Sequence, residues 1–348
     1  MNAYRRLIFA ALMLTAVVVV FGAYVRLADA GLGCPDWPGC YGKITPHHAA
    51  EDILGAHAAD PHGPVSLPKA WKEMVHRYLA ASLGLMIIGI AVLAWRHRSH
   101  KGAAPWVATL LVGVVIFQGL LGKWTVTLLL KPAIVTGHLL GGLTTLALLA
   151  WLAARVAGAR REVVPPRLLW AARGGLLVLA VQVALGGWTS TNYAALACTD
   201  FPTCHGSLWP VADYANAFHV VRELGMTADG ELLSLSALTA IHWSHRLGAL
   251  VAGGVLLMLG WALARRVPTA GAGVALIAAV LMQICLGVAN VALSLPLPLA
   301  AMHNAGAAVL VGLMVWINFR LQARGIARPA PAGLGRLLPF SPRSQRRA

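Results

Sequence analysis

Apolar residues form eight long stretches along the chain, separated by short polar joints or by two long polar connections. A helix that spans a bilayer needs about 20 mostly apolar residues, and each stretch approaches or exceeds that length. The predicted spans are 7–26, 72–95, 105–128, 132–154, 168–190, 237–264, 269–293 and 297–319. The pattern therefore predicts an all-α integral membrane protein with eight transmembrane helices.

Composition supports this assignment. Hydrophobic residues make up 58% of the 348 residues and charged residues 11%, against roughly 45–50% and 25% in soluble domains. These values exclude a soluble globular enzyme. A formal charge of +16 often indicates a nucleic-acid partner, but here the positive residues flank apolar spans, as they do in cytoplasmic loops. We therefore expect contact with membrane lipid and no nucleic-acid partner.

Positive residues are concentrated before the first predicted span and after the even-numbered spans. They include Arg5, Arg6, Arg96, Arg98, Lys101, Arg155, Arg160, Arg161, Arg167, Arg265, Arg266 and Arg320. Because cytoplasmic loops retain positive charge during insertion, both termini are predicted to be cytoplasmic and the two long loops external. The residues before Arg5 do not resemble an organelle transit peptide, which favours the inner (plasma) membrane of a bacterium.

The two halves of the chain are related in sequence. Residues 22–46 match residues 186–210 without a gap, at an offset of 164. The identical pairs are Gly22/Gly186, Ala30/Ala194, Leu32/Leu196, Cys34/Cys198, Asp36/Asp200, Pro38/Pro202, Cys40/Cys204, Gly42/Gly206 and Pro46/Pro210. Further along, His76-Arg77 recurs as His245-Arg246 at offset 169, and Gln118 recurs as Gln283 at offset 165.

This repeat predicts two tandem four-helix bundles, related by a pseudo-twofold axis along the membrane normal. The N-terminal unit is 1–160 with external loop 27–71, and the C-terminal unit is 161–320 with external loop 191–236. A basic cytoplasmic tail, 321–348, follows. Four-helix bundles build cofactor sites from side chains on facing helices. A transporter with parallel repeats would share the layout, so the interior side chains must discriminate.

Four histidines lie within the predicted spans at a similar depth: His76, His138, His245 and His303. Ionisable residues inside a membrane are costly and indicate a functional site by default. Each unit has two, on its second and fourth helices, able to face one another across the bundle. Such a pair suits axial ligation of haem iron from both sides, whereas zinc would require further ligands. An isolated histidine could instead bond to a backbone carbonyl, but two matched pairs favour haem.

The neighbours of these histidines suggest that the two sites differ. Glu73 lies one helical turn before His76, whereas His242 lies at the corresponding place before His245. A carboxylate at a haem edge can exchange protons during oxidation. The alternative is an exposed helix-entry glutamate stabilised by the helix dipole. The asymmetry predicts a reactive site in the first unit and a supporting haem in the second.

Arg77 and Arg246 directly follow the second-helix histidines. At the outer margin of the membrane, their guanidinium groups could pair with haem propionates. Snorkelling to lipid phosphate is the alternative.

Four of the five cysteines form two pairs with six-residue spacing in the external loops, Cys34/Cys40 and Cys198/Cys204. An external loop is oxidising enough for disulfides, and each bridge would close a small loop over the mouth of its bundle. Structural bridges are expected, with redox exchange during turnover as the alternative. Cys285, within the seventh span, is predicted to be a core residue.

Two external features receive simpler interpretations. Residues 211–226 are predicted to form a surface helix at the membrane interface. The histidines of the first external loop have irregular spacing and are predicted to be solvated; they are His47, His48, His57 and His62.

Taken together, these residues resemble one family, the haem A synthases, membrane enzymes that convert haem O to haem A for cytochrome oxidase. The resemblance covers about residues 7–320. It rests on the eight spans, the duplicated halves, the two external cysteine loops, Glu73-x-x-His76-Arg77, His138, His245-Arg246 and His303. It implies oxidation of a methyl substituent of haem O to a formyl group, through successive hydroxylations and loss of water.

The resemblance also implies residue roles. His76 and His138 would flank the substrate haem O in the N-terminal half, and His245 and His303 would ligate a resident haem b in the C-terminal half.

Glu73 would be needed for catalysis, and the pair Cys34/Cys40 would matter for activity. The family pattern assigns no role to His242. An electron-transfer partner that the sequence does not identify is implied, and association with haem O synthase is expected from the shared substrate.

Two other classes of protein share some of these features. A quinol-linked haem b electron-transfer cytochrome would also have paired histidines in four-helix bundles, but it would not need Glu73. A parallel-repeat transporter would carry no haem.

Overall fold

The structure, a computed structural model, describes residues 1–323. Eight of its helices are long and apolar enough to cross a membrane, which confirms the all-α fold with eight spans. They are α1 (Asn2–Leu27), α3 (Leu67–Arg96), α4 (Pro105–Thr127), α5 (Pro132–Val156), α6 (Pro166–Thr191), α8 (Leu235–Ala264), α9 (Ala270–Ala292) and α10 (Leu297–Arg320). Two short helices, α2 (Ala50–Ala59) and α7 (Tyr214–Ala217), lie in the long connections. The predicted tail, 321–348, lies outside the described residues apart from 321–323.

Local start signals determine where the spanning helices begin. A proline occupies one of the first two positions of α3, α4, α5, α6 and α10, where its fixed φ suits the helix and its missing N–H costs no hydrogen bond. In α8, the Ser234 hydroxyl oxygen accepts a hydrogen bond from the N–H of Ala237, a typical N-cap. These signals extend α3 to Leu67 and α8 to Leu235, beyond the predicted starts at 72 and 237.

The spanning helices pack in two groups of four. In the first group α1 and α4 each contact α3 and α5, and in the second group α6 and α9 each contact α8 and α10. The groups meet where α10 contacts α1 and α5, and where α5 contacts α6. The boundaries 1–160 and 161–320 and the pseudo-twofold axis stay predictions.

Each group of helices has a dense apolar core at its arginine-rich end. In the first group Tyr4 and Ile8 of α1 are fully buried against Ile87 and Leu149. The second group contains a similar core; among its members are Leu179, Leu256, Leu263, Leu276 and Met314. The four membrane histidines lie in the opposite halves of the helices, where these cores leave room for a site.

The backbone repeats at the helix ends next to the cysteine loops and in the matching turns after α4 and α9. Left-handed φ values occur at positions related by the offsets of the sequence repeat. The matched pairs are Asp29/Tyr193, Tyr41/His205, Gly42/Gly206, Leu129/Ser294 and Leu130/Leu295. The duplication therefore extends from sequence to the turns that end the helices.

A small parallel sheet connects the two ends of the second group of helices. Strand β1 (Glu162–Val164) pairs with β2 (Leu321–Ala323). Nη2 of Arg320 reinforces the pairing with a 3.1 Å ion pair to Oε1 of Glu162.

Two expectations for individual segments are wrong. Residues 211–226 contain a single helical turn, α7, because Arg222 folds back to bind Asn192 and the carbonyl oxygen of Met226. Cys285 is exposed on α9 and is not a core residue. Its position within an apolar span did not indicate which face of the helix it occupies.

Candidate functional site

His76 of α3 and His138 of α5 face one another within the first group of helices. Their ring centroids lie 6.5 Å apart, and the ring planes are inclined by 81°. When one metal ion bridges two imidazoles, the separation of the ring centres is the sum of two metal–nitrogen bonds of about 2.0–2.1 Å and the two distances from nitrogen to ring centre. This sum is about 6 Å. The separation therefore fits one iron atom ligated from both sides.

Each of the four membrane histidines lies against a glycine of a neighbouring helix. The pairs are Gly22 with His76, Gly122 with His138, Gly186 with His245 and Gly287 with His303. A Cβ atom added at Gly22 or Gly186 would lie 2.7 or 2.9 Å from Cε1 of the facing ring, closer than van der Waals contact allows. An alanine at either position would therefore force the facing imidazole to move.

The surroundings of the imidazole nitrogens fit a bound group. Nδ1 is buried without a hydrogen-bond partner in His76, His138 and His303. In His245, Nδ1 lies 3.0 Å from Nε2 of Gln182. Each of the four residues is only partly buried. Buried polar atoms in native proteins are normally satisfied, and these features favour haem ligation over a packing role.

Glu73 connects α3 to the first cysteine loop. Its Oε2 accepts a hydrogen bond from the backbone N–H of Cys34 at 2.9 Å, and its Oε1 pairs with Nη2 of Arg77 at 2.5 Å. The residue is 5% exposed, so the alternative of an exposed helix-entry glutamate is wrong. Glu73 thus holds the loop from a position one turn before His76 on the same helix.

His242 takes the equivalent place in the second group of helices. Its Nδ1 accepts a hydrogen bond from the N–H of Cys198 at 3.2 Å, and its Nε2 lies 3.2 Å from Nε of Arg246. The residue that the sequence left unassigned is therefore engaged with the second cysteine loop. His245, which lies against Gly186, is the counterpart of His76.

The guanidinium group of Arg77 binds the first cysteine loop. Its Nη1 donates to the carbonyl oxygens of Asp36, Pro38 and Gly39 at 2.9, 3.2 and 2.5 Å. The side chain is 12% exposed, so snorkelling to lipid is not its role here. Pairing with a haem propionate stays a prediction.

Arg246 binds the second cysteine loop in the same manner. It donates to the carbonyl oxygens of Cys198, Asp200 and Thr203 at 3.0, 2.8 and 2.8 Å. Both arginines therefore hold a loop over the histidine pair of their own helices.

Both predicted disulfides, Cys34–Cys40 and Cys198–Cys204, are present. An aspartate organises the interior of each closed loop. In the first loop, the Asp36 carboxylate accepts the N–H groups of the two residues that follow Cys40, Tyr41 and Gly42, at 2.6 and 2.7 Å.

In the second loop, Asp200 accepts the N–H groups of His205 and Gly206 at 2.7 and 3.0 Å. The Thr203 hydroxyl also donates to Asp200, at 2.5 Å. These hydrogen bonds, that of Thr203 first, hold the pKa of the Asp200 carboxyl well below its usual range, because each favours the ionised form.

Sequence analysis did not identify the polar contact between the two groups of helices. Nη2 of Arg26 donates to the carbonyl oxygens of Ser190 and Thr191 at 3.3 and 3.4 Å, and its guanidinium lies 4.0 Å from the centre of the Tyr193 ring. The Tyr193 hydroxyl in turn donates to Asp29 at 2.9 Å. The available signal was the position of Arg26 at the end of the first span that is predicted to be external, against the positive-inside trend.

Comparison with known proteins identifies the family. The COX15-CtaA family, described as cytochrome oxidase assembly protein, matches residues 5–315. The heme A synthase of Shewanella oneidensis is 39% identical over 313 residues, which cover 89% of this chain and 94% of the relative. The heme A synthase of Sphingopyxis alaskensis is 28% identical, with 93% of each chain covered. That of Halalkalibacterium halodurans is 30% identical over 66% of this chain and 72% of its own.

These relatives are bacterial, and eight helices of this chain can span a membrane. The protein is accordingly a multi-pass bacterial membrane protein. The match of the family over nearly the whole chain agrees with the resemblance found in the sequence. The chain belongs to the COX15-CtaA family of cytochrome oxidase assembly proteins.

Proposed function

We propose that the protein is a haem A synthase, an enzyme that oxidises a methyl substituent of haem O to a formyl group and so supplies haem A for cytochrome oxidase biogenesis. The name of its relatives supports this activity. The observation that carries the proposal is the facing pair His76 and His138, 6.5 Å apart, with the buried carboxylate of Glu73 one turn away.

Haem O is the substrate of the first group of helices. His76 and His138 hold it from both faces, and the close approach of Gly22 to His76 leaves room for that ring. Bound haem supplies the redox chemistry for the successive hydroxylations, whereas the protein orients the macrocycle and excludes water.

Glu73 has two roles: it accepts protons during the reaction, and it holds the external loop through its hydrogen bond with Cys34. Net oxidation of a methyl to a formyl group, with water as the source of the oxygen, releases protons and electrons. The electrons pass to the electron-transfer partner, and a carboxylate one turn from His76 can accept protons. Its bonds to Cys34 and Arg77 keep it in place. The disulfide Cys34–Cys40 acts indirectly, by fixing the loop that supplies the Cys34 N–H.

The second group of helices holds a resident haem b between His245 and His303. Its function is electron transfer between the substrate site and a partner protein. Arg77 and Arg246 lie at the outer end of each site, where either guanidinium can also reach a propionate while it holds its loop.

The arrangement in the membrane follows from the charge distribution and the repeat. Both termini are cytoplasmic, the cysteine loops are external, and a pseudo-twofold axis along the membrane normal relates the tandem units. The inner membrane of a bacterium is the site of action. Haem O synthase, the enzyme that produces the substrate, is the expected neighbour.

A second candidate function is a haem b electron-transfer cytochrome. It is favoured by one observation, the equal provision of a glycine-backed histidine pair in both groups of helices. A parallel-repeat transporter is less well supported, because it needs none of these pairs.

The experiment is to purify the protein in detergent, record the reduced-minus-oxidised spectrum and identify the extracted haems by chromatography and mass. We expect haem b together with haem O or haem A. Substitution of alanine for His76 or His138 should abolish haem A but retain haem b, and His245→Ala or His303→Ala should deplete haem b. Haem b alone, lost equally from all four variants, would support the cytochrome, and a protein without haem would support transport.

A further inference from the structure

The imidazole of one membrane histidine bonds to a side chain, and within residues 1–323 the imidazoles of the other three do not. Gln283 donates only to the backbone carbonyl oxygen of His303, at 2.9 Å. Nε2 of Gln182 in α6 lies 3.0 Å from Nδ1 of His245 and donates to the backbone carbonyl of the same residue at 3.1 Å. Nδ1 of His76, His138 and His303 has no partner. The second group of helices therefore restrains His245 through Nδ1 of its imidazole.

The repeat shows that this contact has no counterpart at His76, although Gln118 and Gln283 also lie four residues before the glycines that face His138 and His303. Gln182 lies four residues before Gly186, the glycine against His245, and the same place before Gly22 is Val18. Valine cannot hydrogen-bond to an imidazole. Position 182 therefore differs from its counterpart, position 18, in hydrogen-bonding capacity as well as in packing.

A second difference accompanies the first. Gly248 follows His245 by three residues, and a Cβ atom there would lie 2.3 Å from Oε1 of Gln182. The corresponding residue after His76 is Leu79. The amide of Gln182 thus fits because α8 has a glycine beneath it. Gly141 and Gly306 make room for the amides of Gln118 and Gln283 in the same way, whereas the two positions beside His76 have apolar side chains.

An amide can serve a histidine in either of its neutral forms. A histidine that ligates iron through Nε2 has its proton on Nδ1, and that proton needs an acceptor. A half-turn of the Gln182 amide exchanges Nε2 for Oε1, which is buried without a hydrogen-bond partner. Gln182 can therefore donate to Nδ1 without haem, and when Nε2 binds iron its Oε1 can accept the Nδ1 proton in exchange for the bond to the His245 carbonyl oxygen.

We propose that Gln182 is the positioning residue that makes the His245 site a permanent haem site. Its hydrogen bond fixes the imidazole and raises its basicity, while Val18 leaves His76 without such a restraint, as the exchange of substrate and product requires. The inference rests on the proposed function, because it assumes a resident haem b at His245 and His303. It adds one physical difference between His245 and its counterpart, His76.

The test uses the full-length protein purified in detergent, with two readouts other than activity: the midpoint potential of haem b and the rate of haem loss to an excess of apomyoglobin. Gln182→Val should raise the potential, because a less basic imidazole stabilises ferric haem less. It should also accelerate haem loss by about 10–100-fold, the usual effect of removing such a partner. Gln182→Glu, which retains an acceptor, should shift the potential in the opposite direction.

Gly248→Ala provides an independent variant, because its methyl group displaces the amide without changing Gln182. It should reproduce the effects of Gln182→Val. The reciprocal change, Val18→Gln with Leu79→Gly, should increase the haem O and haem A retained by the first site, compared with Leu79→Gly alone.

Unchanged potential and unchanged haem loss in both Gln182→Val and Gly248→Ala would overturn the inference and leave the proposed function intact. If Gln182→Val does not fold, an unshifted potential in Gln182→Glu would overturn it equally. Wild-type protein without haem b would instead contradict the proposed function.

Discussion

The backbone N–H of Cys34 donates to Oε2 of Glu73 across 2.9 Å, and this bond joins the first disulfide loop to the helix of His76. In the second half of the chain the N–H of Cys198 makes the same bond to Nδ1 of His242. The two halves therefore anchor their loops in one way with different acceptors. Only the first uses a carboxylate, which both holds the loop and can accept a proton.

This relationship gives the first prediction. Glu73→Gln keeps an oxygen that can accept from Cys34 but removes the negative charge that Arg77 faces. We expect haem A formation to fall by about 10²–10⁴-fold, the range for loss of an acid–base group, with haem b retained. Extraction of haems from the purified variant measures both quantities.

The matched control is His242→Gln, which makes a comparable change in the anchor of the second loop. It should retain haem A formation, because no proton transfer is assigned to His242. Equal activity of Glu73→Gln and wild type would remove the catalytic role of Glu73. Equal loss in both variants would reduce that role to anchoring of a loop.

The second prediction concerns the disulfides. Each closes a loop so short that the chain-entropy model gives it only about 2 kcal/mol of stabilisation, and Arg77 or Arg246 still holds the loop carbonyls after reduction. Replacing Cys34 and Cys40 by serine should therefore leave the protein folded but lower haem A formation, because the Cys34 N–H is less well fixed against Glu73.

Replacing Cys198 and Cys204 by serine should affect haem A formation less, since that loop contacts His242. Thermal unfolding and haem analysis of both double variants provide the comparison. The same decline in activity from either pair would show that the loops contribute only general stability.

Much of the fold could be predicted because hydropathy and the repeat are both properties of the local sequence. Eight spans followed from apolar length, and the two disulfides followed from the spacing of Cys34/Cys40 and its repetition. The opposition of His76 and His138 followed from their equal depth on alternate helices.

The remaining features depend on how distant segments meet. The short helix α7 ends where Arg222 returns to Asn192, and burial lowers the pKa of Arg222; no periodicity within 211–226 encodes that contact. The hydrogen bonds of Glu73 and His242 depend on the paths of the two loops. Spacing alone could show that Glu73 and His242 are different residue types at matching positions. It could not show that both hold a cysteine loop.

The third prediction is a pH dependence of the second loop. Hydrogen bonds from Thr203, Gly206 and His205 depress the pKa of Asp200 in the folded loop. Such a group stabilises the fold above its unfolded pKa, 3.8, and the stabilisation is lost as the pH falls below that value towards the folded pKa. Hydrogen exchange, corrected for its intrinsic pH dependence, should therefore accelerate in peptides containing His205 and Gly206 as the medium is acidified below that value. Asp200→Asn should exchange rapidly at every pH, and an acid-sensitive profile in this variant would assign the effect to another group.

The fourth prediction follows from the glycines that face the histidines. Alanine at Gly22 or Gly186 would put a Cβ atom 2.7 or 2.9 Å from the imidazole opposite, whereas at Gly122 the distance to His138 is 3.5 Å, an ordinary contact. A ring moved by even a few tenths of an ångström no longer presents its nitrogen correctly, because ligand geometry must hold within about 0.5 Å.

Gly22→Ala should therefore lose haem A formation and keep haem b, Gly186→Ala should lose haem b, and Gly122→Ala should resemble wild type in both. Haem extraction from the three variants separates the sites, and a Gly122→Ala protein as impaired as Gly22→Ala would mean that helix packing, not the position of the imidazole, determines the outcome.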